Sequence, residues 1–381
     1  MNISFDATPL VGDLVSGVGW CEAQLTAAFR RCYPEIACRY EYFTLRSPEE
    51  KKRRLSQFCD ADAELRAARF SPLVYRAASN FVPLPYSSFF GKWADITHFF
   101  NYIVPPGVHS RAVVTVHDMV LHAYPETMRT RTRVMLQTGL RKSMQRADAV
   151  VTDSEFSRSE IAKYYPEYAD KVHVVPCGVD TQKFAPASAE EIARVRQVHR
   201  IEGDYFLYLG TLEPRKNLVR LIEGYSLVQS RYPDCPKLVL AGGKGWQYQN
   251  IFDIVELLHL KERVQFLDYV PSADIAGLYS GAFAFVFPSL YEGFGMPPLE
   301  AMACGTPVLT SKTASLPEAV GKAAVLVNPK NIESIERGME LLLTDTELRA
   351  RLTRMGHRQA ARMSWENAAE KLRQVYQSLM C

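Results

Sequence analysis

The chain has 381 residues, of which 47% are hydrophobic and 23% are charged, and its formal net charge at pH 7 is +3. This length suffices for two domains, each with its own hydrophobic core. The weak net charge and the lack of an RNA-binding motif argue against a nucleic-acid partner. No signal peptide is recognisable, and no apolar run approaches the roughly 20 residues that span a bilayer. The eight cysteines are scattered without a C-x-x-C pair, so we expect reduced thiols, no metal site and a cytoplasmic protein.

The N-terminal half begins with a predicted strand, Ile3 to Ala7, followed by a glycine-containing loop and a helix from about Trp20 to Arg30. Gly17 and Gly19 at the end of that loop could cradle a phosphate or a sugar, and a simple tight turn is equally compatible. The loop lacks the third glycine of a dinucleotide-binding fingerprint, which argues against a dehydrogenase.

A further predicted strand, Ala112 to Val116, ends directly before His117 and Asp118. Open α/β sheets bind ligands at the carboxyl ends of their strands, so His117 is a candidate to contact substrate. The alternative is a buried histidine that is satisfied by its neighbours. Asp118 could orient the His117 ring or cap the helix that follows.

Two basic segments in this half are candidates for contact with a membrane surface. Lys51 to Arg54 are followed by an aromatic run between Phe81 and Trp93, and residues 129–146 contain six basic side chains and no acid. Both segments suit an anionic lipid surface, and the second also suits an acceptor phosphate. A solvated helix face is the ordinary explanation of a charge run.

In the C-terminal half, the predicted strand Tyr205 to Leu209 precedes the run GTLEPRKN, which spans Gly210 to Asn217. Arg215 and Lys216 lie just before a predicted amphipathic helix. A guanidinium with several donors and a compact ammonium at the end of a strand suit a diphosphate. Two solvated charges beside the start of a helix are the alternative.

A glycine-rich turn, Glu292 to Gly295, follows the predicted buried strand Phe283 to Phe287 and precedes a helix that is predicted to begin near Pro297. Backbone N–H groups at the glycines and at the helix start favour an anion. The carboxylates of Glu292 and Glu300 suit hydroxyl groups of a sugar or ribose, so the turn predicts a nucleotide sugar. Spacing alone leaves a glycine turn followed by a solvated glutamate about as plausible.

The run EGFGMPPLEAMACGTPV from Glu292 and the run GTLEPRKN from Gly210 resemble the retaining nucleotide-sugar glycosyltransferases of family 4, in the family's order. The resemblance implies an α/β chain of GT-B architecture, with two Rossmann-like, doubly wound domains facing a central cleft. It also implies a C-terminal helix that crosses back to the first domain. We therefore predict an acceptor-side domain at 1–183, completed by a helix at 366–381, and a donor-binding domain at 184–365.

The resemblance also assigns roles to individual residues of this chain. The catalytic groups that it implies are His117, Arg215, Lys216 and Glu292. The donor-binding residues that it implies are Gly17, Gly19, Gly210, Gly242, Gly293, Phe294, Gly295, Met296 and Glu300. The expected chemistry is front-face attack with retention at the anomeric carbon, cations at the diphosphate, and no metal ion or other cofactor.

The residues of the two runs resemble those of bacterial mannosyltransferases of surface polysaccharide assembly. This implies transfer of mannose from GDP-mannose to a saccharide or lipid-linked acceptor, at the inner face of the cytoplasmic membrane. The alternative donors are UDP-glucose, UDP-N-acetylglucosamine and dTDP-rhamnose. The alternative functions are a GT-B nucleotide-sugar epimerase and a non-catalytic subunit of a polysaccharide-assembly complex.

Overall fold

A computed structural model describes residues 1–12, 17–59, 62–72, 74–75 and 84–380. The contacts within the chain divide it into two units. Unit 1 comprises Met1–Gly178 and Trp365–Cys381, and unit 2 comprises Val179–Ser364. The prediction from sequence places the boundary a few residues later, at 183.

Unit 1 contains a parallel sheet of seven strands in the order β3-β2-β1-β4-β5-β6-β7. The strands are β1 (Asn2–Asp6), β2 (Ala37–Phe43), β3 (Glu64–Ala68), β4 (Ile96–Phe99), β5 (Arg111–Thr115), β6 (Ala149–Thr152) and β7 (Val172–Val174). The strand order reverses between β1 and β4, where Ile3 pairs with Ile96. Phe5, Val113 and Val150 are fully buried, as expected of a parallel sheet that is covered on both faces.

Six helices in the described part of unit 1 precede its junction with unit 2. They are α1 (Gly17–Cys32), α2 (Pro48–Leu55), α3 (Ser87–Phe90), α4 (Val120–Ala123), α5 (Thr130–Arg146) and α6 (Glu155–Tyr164). Three short 3₁₀ turns lie at Thr8–Val11, Pro125–Thr127 and Pro166–Lys171. None of the helices in the described part of the chain has the length and hydropathy that a bilayer span requires.

The start of α1 corrects one prediction. Gly17 and Gly19 belong to the first turn of this helix, so the prediction that they end a loop before a helix at Trp20 is wrong. Because glycine is unfavourable in a helix interior, the sequence predicts a helix start after Gly19, which is later than the observed start. Both glycines remain candidate donor-binding residues, in the first turn of a helix instead of in a loop.

Unit 2 contains a parallel sheet of six strands in the order β10-β9-β8-β11-β12-β13. The strands are β8 (Tyr205–Leu209), β9 (Lys237–Ala241), β10 (Val264–Leu267), β11 (Ala284–Phe287), β12 (Val308–Ser311) and β13 (Ala324–Val327). The order reverses between β8 and β11, where Phe206 pairs with Ala284. In doubly wound sheets, ligands bind at the carboxyl ends of the strands beside such a reversal.

Eight helices belong to unit 2, together with a 3₁₀ turn at Pro214–Lys216. They are α7 (Ala189–Val198), α8 (Leu218–Arg231), α9 (Gln249–Leu257), α10 (Ile275–Ser280), α11 (Met296–Ala303), α12 (Leu316–Val320), α13 (Ile332–Thr344) and α14 (Thr346–Arg362). The central strands are buried, with Phe206, Leu207 and Phe285 each 0% exposed.

The last helix, α15 (Trp365–Ser378), belongs to unit 1 and packs against α1. The Tyr376 ring meets the edge of Phe29 at 5.4 Å, and the Tyr376 hydroxyl lies 2.6 Å from Nδ1 of His98 on β4. The predicted fold class, two Rossmann-like sheets with a C-terminal helix that returns to the first unit, is confirmed.

Candidate functional site

Arg215 and Lys216 meet Glu292 where the strand order of unit 2 reverses. The two cations lie in the loop after β8, and Glu292 lies in the loop after β11. Arg215 Nη1 donates to Glu292 Oε2 at 2.8 Å, and Lys216 Nζ donates to Glu292 Oε1 at 2.7 Å. Each oxygen of the carboxylate therefore accepts from a different cation. The structure brings together three of the predicted catalytic residues.

Further hydrogen bonds join the same two loops around Arg215. Its Nη1 also donates to the Tyr291 carbonyl at 2.6 Å, and its Nη2 donates to Glu213 Oε1 at 2.7 Å. The Leu290 N–H donates to the Arg215 carbonyl at 2.9 Å. Two cations thus face two carboxylates in this cluster, which is close to neutral overall.

Burial and charge act in opposite directions on Glu292, which is 9% exposed. Burial favours the neutral acid, but the positive charges of Arg215 and Lys216 prevail and lower the pKa of Glu292 to about 2. Burial also lowers the pKa of Lys216, and the nearby Glu292 carboxylate partly offsets that effect. Glu292 is therefore ionised at neutral pH.

Asn217 fixes the position of the loop that carries these cations. It is buried and has a left-handed backbone with φ of 64°, a conformation that asparagine tolerates better than most residues. Its Nδ2 donates to the carbonyls of Pro288 at 3.0 Å and Pro329 at 2.7 Å. The loops after β8, β11 and β13 are thereby joined. Asn217 is the last residue of the GTLEPRKN run, but its place in that run does not predict this role.

The glycine-rich turn before α11 is held by Ser315, whose Oγ lies 2.8 Å from the carbonyls of both Glu292 and Phe294. Gly295 has φ of 120°, and a Cβ at this position would lie 2.8 Å from a Leu316 methyl group. Glycine is therefore required at residue 295. Met296 begins α11, so Gly293 and Phe294 lead into a helix start whose N–H groups have no intrahelical acceptors.

Glu300 lies on α11 and has a different environment from Glu292. Tyr279 Oη donates to Glu300 Oε2 at 3.0 Å. Burial raises the pKa of Glu300, and the Tyr279 hydrogen bond and the charge of Lys183 oppose this effect. Within the described residues Glu300 Oε1 has no hydrogen-bond partner, so this oxygen can accept a ligand hydroxyl. Tyr279 is absent from the residues predicted from the sequence.

Gly210 and Gly242 are packed against each other at the ends of β8 and β9. Gly242 has φ of 137°, and a Cβ there would lie 2.1 Å from the Gly210 carbonyl oxygen. The Gly210 N–H donates to the Ala241 carbonyl at 3.0 Å. Gly242 therefore needs glycine for the close approach of two backbones, whether or not a donor binds beside it. A Cβ at Gly210 would instead lie 2.9 Å from the Tyr208 hydroxyl oxygen.

In unit 1, His117 follows β5 and has both ring nitrogens in contact with protein acceptors. Nδ1 lies 2.7 Å from Asp153 Oδ2, and Nε2 lies 2.9 Å from the Phe100 carbonyl. Burial lowers the pKa of His117, but the Asp153 carboxylate outweighs it and raises the pKa to about 10. The ring therefore has no nitrogen available for a sugar hydroxyl. The His117 carbonyl accepts from Ser157 Oγ at 3.1 Å.

Asp118 does not contact the His117 ring. Its Oδ1 accepts from the Val120 N–H at the start of α4 and from the Tyr102 hydroxyl, each at 3.1 Å. The second of the two predicted roles for Asp118, at the start of the following helix, agrees with the structure. The partner of the His117 ring is Asp153, which the sequence analysis does not identify.

One cluster in the described residues offers three close metal-ligand atoms, from Cys21, Asp153 and Cys177. The two sulfur atoms are 3.2 Å apart, which is shorter than the roughly 3.8 Å between two thiolates on one tetrahedral zinc ion with bonds of about 2.3 Å. Asp153 is also engaged by His117. The cluster therefore does not fit a metal centre.

Two Rossmann-like units, with a cation pair and two acidic side chains at the ligand-binding end of the second sheet, define the GT-B class of nucleotide-sugar enzymes. Family models match both halves of the chain. The model described as Glycosyltransferase Family 4 matches residues 40–183. The model described as Glycosyl transferases group 1 matches residues 190–359.

Two similar proteins and one solved structure agree with these matches. O-antigen chain mannosyltransferase B of Escherichia coli is 36% identical over 290 residues, which are 74% of this chain and 74% of that protein. O-antigen chain mannosyltransferase RfbU of Salmonella typhimurium is 30% identical over 271 residues, 71% of this chain and 70% of that protein. HepE of Anabaena in complex with UDP and glucose has a TM-score of 0.74 and 18% identity, covering 99% of this chain and 100% of that chain. The chain belongs to glycosyltransferase family 4 and is a glycosyltransferase.

Proposed function

We propose that the chain is a retaining mannosyltransferase. It transfers mannose from GDP-mannose to a saccharide or lipid-linked saccharide acceptor during assembly of a surface polysaccharide or lipopolysaccharide. The observation that carries this proposal is the junction of Arg215, Lys216 and Glu292 where the strand order of unit 2 reverses. The choice of mannose is supported by the names of the two O-antigen mannosyltransferases that are 36% and 30% identical to this chain.

Arg215 and Lys216 bind the diphosphate of the donor. Negative charge grows on the diphosphate as the bond to the sugar breaks, and fixed cations stabilise that transition state. Arg215 supplies a planar set of N–H donors, and Lys216 supplies a compact ammonium. Glu292 accepts from Lys216 through one oxygen only, so the ammonium keeps hydrogens that can face phosphate oxygens. No metal ion is required by this arrangement.

Glu292 and Glu300 bind hydroxyl groups at the two ends of the donor. Glu292 shares the turn with the N–H groups before α11 and faces the sugar beside the diphosphate. Glu300 accepts a ribose hydroxyl through Oε1, while Tyr279 holds its other oxygen at 3.0 Å. A carboxylate that already accepts one hydrogen bond has a restricted orientation, which favours a specific contact with a ribose hydroxyl.

Retention by front-face attack is supported by the state of Glu292. Both of its oxygens accept from cations, and its pKa is lowered to about 2, so it is a poor nucleophile for a covalent intermediate. The acceptor oxygen instead forms its bond to the anomeric carbon on the side from which the diphosphate departs. The bond between that carbon and the phosphate oxygen breaks, and a phosphate oxygen takes the acceptor's proton.

The proposal is tested with purified full chain and a panel of GDP-mannose, UDP-glucose, UDP-N-acetylglucosamine and dTDP-rhamnose. Each donor is incubated with a panel of saccharide and lipid-linked saccharide acceptors, and both released nucleotide and new glycoside are measured. We expect mannosyl product from GDP-mannose, with an axial glycosidic bond by NMR and undiminished turnover in a chelator. Arg215→Ala should lower kcat by roughly 10²–10³, as loss of one oxyanion donor does. Arg158→Ala is the control, because the side chains of Arg158 and of its ion-pair partner Glu155 are 52% and 62% exposed.

The same assay separates the other functions. An epimerase would convert the donor sugar without an acceptor and form no glycoside. A non-catalytic subunit would show neither reaction, and calorimetry with GDP-mannose would detect no binding. Product from another donor would replace mannose in the proposal and leave the transferase function in place.

We also propose that unit 1 contacts an anionic membrane surface through α5. Arg129, Arg131, Arg133 and Lys142 form no ion pair with any described residue, and Val134 beside them is 50% exposed. No acidic residue lies between positions 129 and 146. A basic helix that also exposes an apolar side chain suits the interface of an anionic bilayer.

The other basic segment does not have these properties. Helix α2 contains Glu49 and Glu50 as well as the basic residues, and Arg54 pairs with Glu50 at 2.5 Å. Of the aromatic run, Tyr86 and Phe90 lie in the core of unit 1, so a packed loop describes them, and Phe81 lies outside the described residues. The structure therefore favours α5 over this segment.

Sedimentation with phosphatidylglycerol and phosphatidylcholine vesicles tests the membrane proposal. Binding to the anionic vesicles should fall by about tenfold or more in Arg131→Ser/Arg133→Ser, because each basic residue near such a surface contributes about 1 kcal/mol. Lys51→Ser/Lys52→Ser is the matched control and should bind like the parent chain. Equal losses in both variants, or no binding to either vesicle, would contradict the proposal.

A further inference from the structure

His117, Asp153 and Phe100 converge from three adjacent strands of unit 1. Phe100 follows β4, His117 follows β5 and Asp153 follows β6, and these strands are neighbours in the sheet. His117 and Asp153 are each 6% exposed. The ring nitrogens of His117 lie 2.7 Å from Asp153 Oδ2 and 2.9 Å from the Phe100 carbonyl oxygen.

The two acceptors determine the protonation of the ring. A carbonyl oxygen and an ionised carboxylate only accept hydrogen bonds, whereas a neutral imidazole carries one N–H. In a neutral ring one nitrogen carries no hydrogen, and the lone pair of that nitrogen would face a hydrogen-bond acceptor. Because aspartic acid is a stronger acid than imidazolium, the shared proton belongs on the ring. The doubly protonated ring satisfies both contacts.

Two titratable neighbours of the ring, His98 and Cys177, carry no charge at neutral pH. Burial lowers the pKa of His98 on β4 to about 3, and the positive charge of His117 adds to this effect, so His98 is neutral. A hydrogen bond with Cys21, together with burial, raises the pKa of Cys177, so this thiol is neutral. The Tyr102 ring meets His117 at 5.8 Å and its hydroxyl donates to Asp118. Asp153 is therefore the carboxylate that contacts the ring.

We propose that Asp153 is a positioning residue that keeps His117 as an imidazolium throughout the neutral pH range. A ring in this state has no free nitrogen, so it cannot accept the proton of an attacking hydroxyl. The structure thus excludes His117 as a general base and assigns it a fixed positive charge at the carboxyl end of β5. The role in catalysis rests on the proposed transferase function, whereas the charge of the ring does not.

The charge is measured directly by NMR of ¹⁵N-labelled histidine side chains in the full chain. The signal of His117 among the eight histidines is assigned by its loss in His117→Gln. We expect both ring nitrogens of His117 to remain protonated across the range in which exposed histidines titrate, near pH 6.5. A His117 ring with a single protonated nitrogen at neutral pH would overturn the proposal. This titration needs only the parent chain and one assignment variant.

Two variants then test the assignment to Asp153. In Asp153→Asn the ring loses its counter-ion, and His117 should become neutral at neutral pH. In Asp118→Asn, which changes the neighbouring acid that does not contact the ring, His117 should keep its charge. If Asp153→Asn does not fold, the parent titration still decides whether the ring is an imidazolium. A ring that stays charged in folded Asp153→Asn would overturn the role of Asp153.

The kinetic readout is the dependence of kcat on pH. Asp153→Asn should lose activity as pH rises through the restored titration of His117, a step that the parent chain and Asp118→Asn should lack in that range. Identical pH profiles, with a ring that NMR shows to be neutral in the variant, would overturn the link to catalysis. If no transferase activity is found with any donor, the proposed function fails while the NMR result still decides the state of His117.

Discussion

The Lys216 ammonium donates a 2.7 Å hydrogen bond to the Glu292 carboxylate and so joins the loops that follow the two central strands of unit 2. Arg215 engages the other oxygen at 2.8 Å. The cations that are proposed to bind the donor diphosphate therefore have an internal counter-ion. Binding of a phosphate changes the partners of these cations rather than introducing charge into an empty site.

The first prediction concerns Glu292→Gln, which keeps the shape of the side chain and removes its charge. Without the internal counter-ion, Arg215 and Lys216 should bind GDP at least as tightly as before. Turnover should fall by about 10- to 100-fold, because a charge-assisted hydrogen bond of about 1.5–3 kcal/mol is lost beside the sugar. Calorimetry with GDP and initial rates measure the two effects.

Glu213→Gln is the control for this prediction, since Glu213 pairs with Arg215 but not with Lys216. It should change GDP affinity and turnover less than Glu292→Gln does. A parallel loss of GDP affinity and turnover in Glu292→Gln would show that the carboxylate organises the cations instead of competing with the phosphate.

The second prediction is a loss of stability in acid that depends on Glu292. The pKa of Glu292 falls from an ordinary value of 4.5 to about 2 on folding. Its contribution is therefore complete above about pH 4.5 and is lost as pH falls through about 2, and it amounts to on the order of 3 kcal/mol. Urea unfolding of the parent chain and Glu292→Gln at a series of pH values measures it. The free energy of unfolding should depend less steeply on pH in the variant than in the parent chain within this window. Equal pH dependences would refute the assignment.

Part of the fold follows from residue patterns alone. The predicted strands Tyr205–Leu209 and Val264–Leu267 agree with β8 and β10 at both ends, because apolar and aromatic runs bounded by turn residues are strong strand signals. Strand β2 is absent from the prediction. Its Arg39 and Glu41 are buried and paired with each other. The sequence of this strand is therefore that of a polar segment, although the strand lies inside the sheet. Only the tertiary pairing explains its burial.

The functional site, like the fold, is predicted only in part from the sequence. The family resemblance names Arg215, Lys216 and Glu292 as catalytic groups, and the structure brings them together because loops after neighbouring strands of a doubly wound sheet meet at one edge. It does not identify Asp153, which lies 36 residues after His117 and reaches the ring only because β5 and β6 pair. Side-chain protonation depends on such contacts between strands, and a linear pattern does not contain them.

The third prediction concerns the ribose contact of Glu300. Glu300→Gln should weaken binding of GDP by about 1.5–3 kcal/mol, since one charge-assisted hydrogen bond becomes neutral. Calorimetry of the parent chain and of Glu300→Gln with GDP and with its 2′-deoxy and 3′-deoxy forms completes a double-mutant cycle. The cycle isolates the free energy of the contact between Glu300 and the ribose hydroxyl. The deoxy form that lacks the contacted hydroxyl should bind the parent chain more weakly and bind the variant with little further loss. Equal effects of that deoxy form on both proteins would remove Glu300 from the ribose site.

The fourth prediction separates the two roles of Asn217 with a matched pair of variants. Asn217→Gly keeps the backbone at φ of 64° without strain but loses the hydrogen bonds to Pro288 and Pro329. Asn217→Ala loses the same bonds and must also hold alanine in the left-handed region, which costs about 1 kcal/mol more.

Both Asn217 variants leave two buried carbonyls without their donor, at about 1–3 kcal/mol for an unsatisfied group. Urea unfolding should therefore rank the parent chain above Asn217→Gly and Asn217→Ala last. The rates should fall in both variants, because the loop that carries Arg215 and Lys216 loses its connection to the loop before Glu292. If Asn217→Gly matches the parent chain in stability and turnover, the connection through the Asn217 amide does not position the cations.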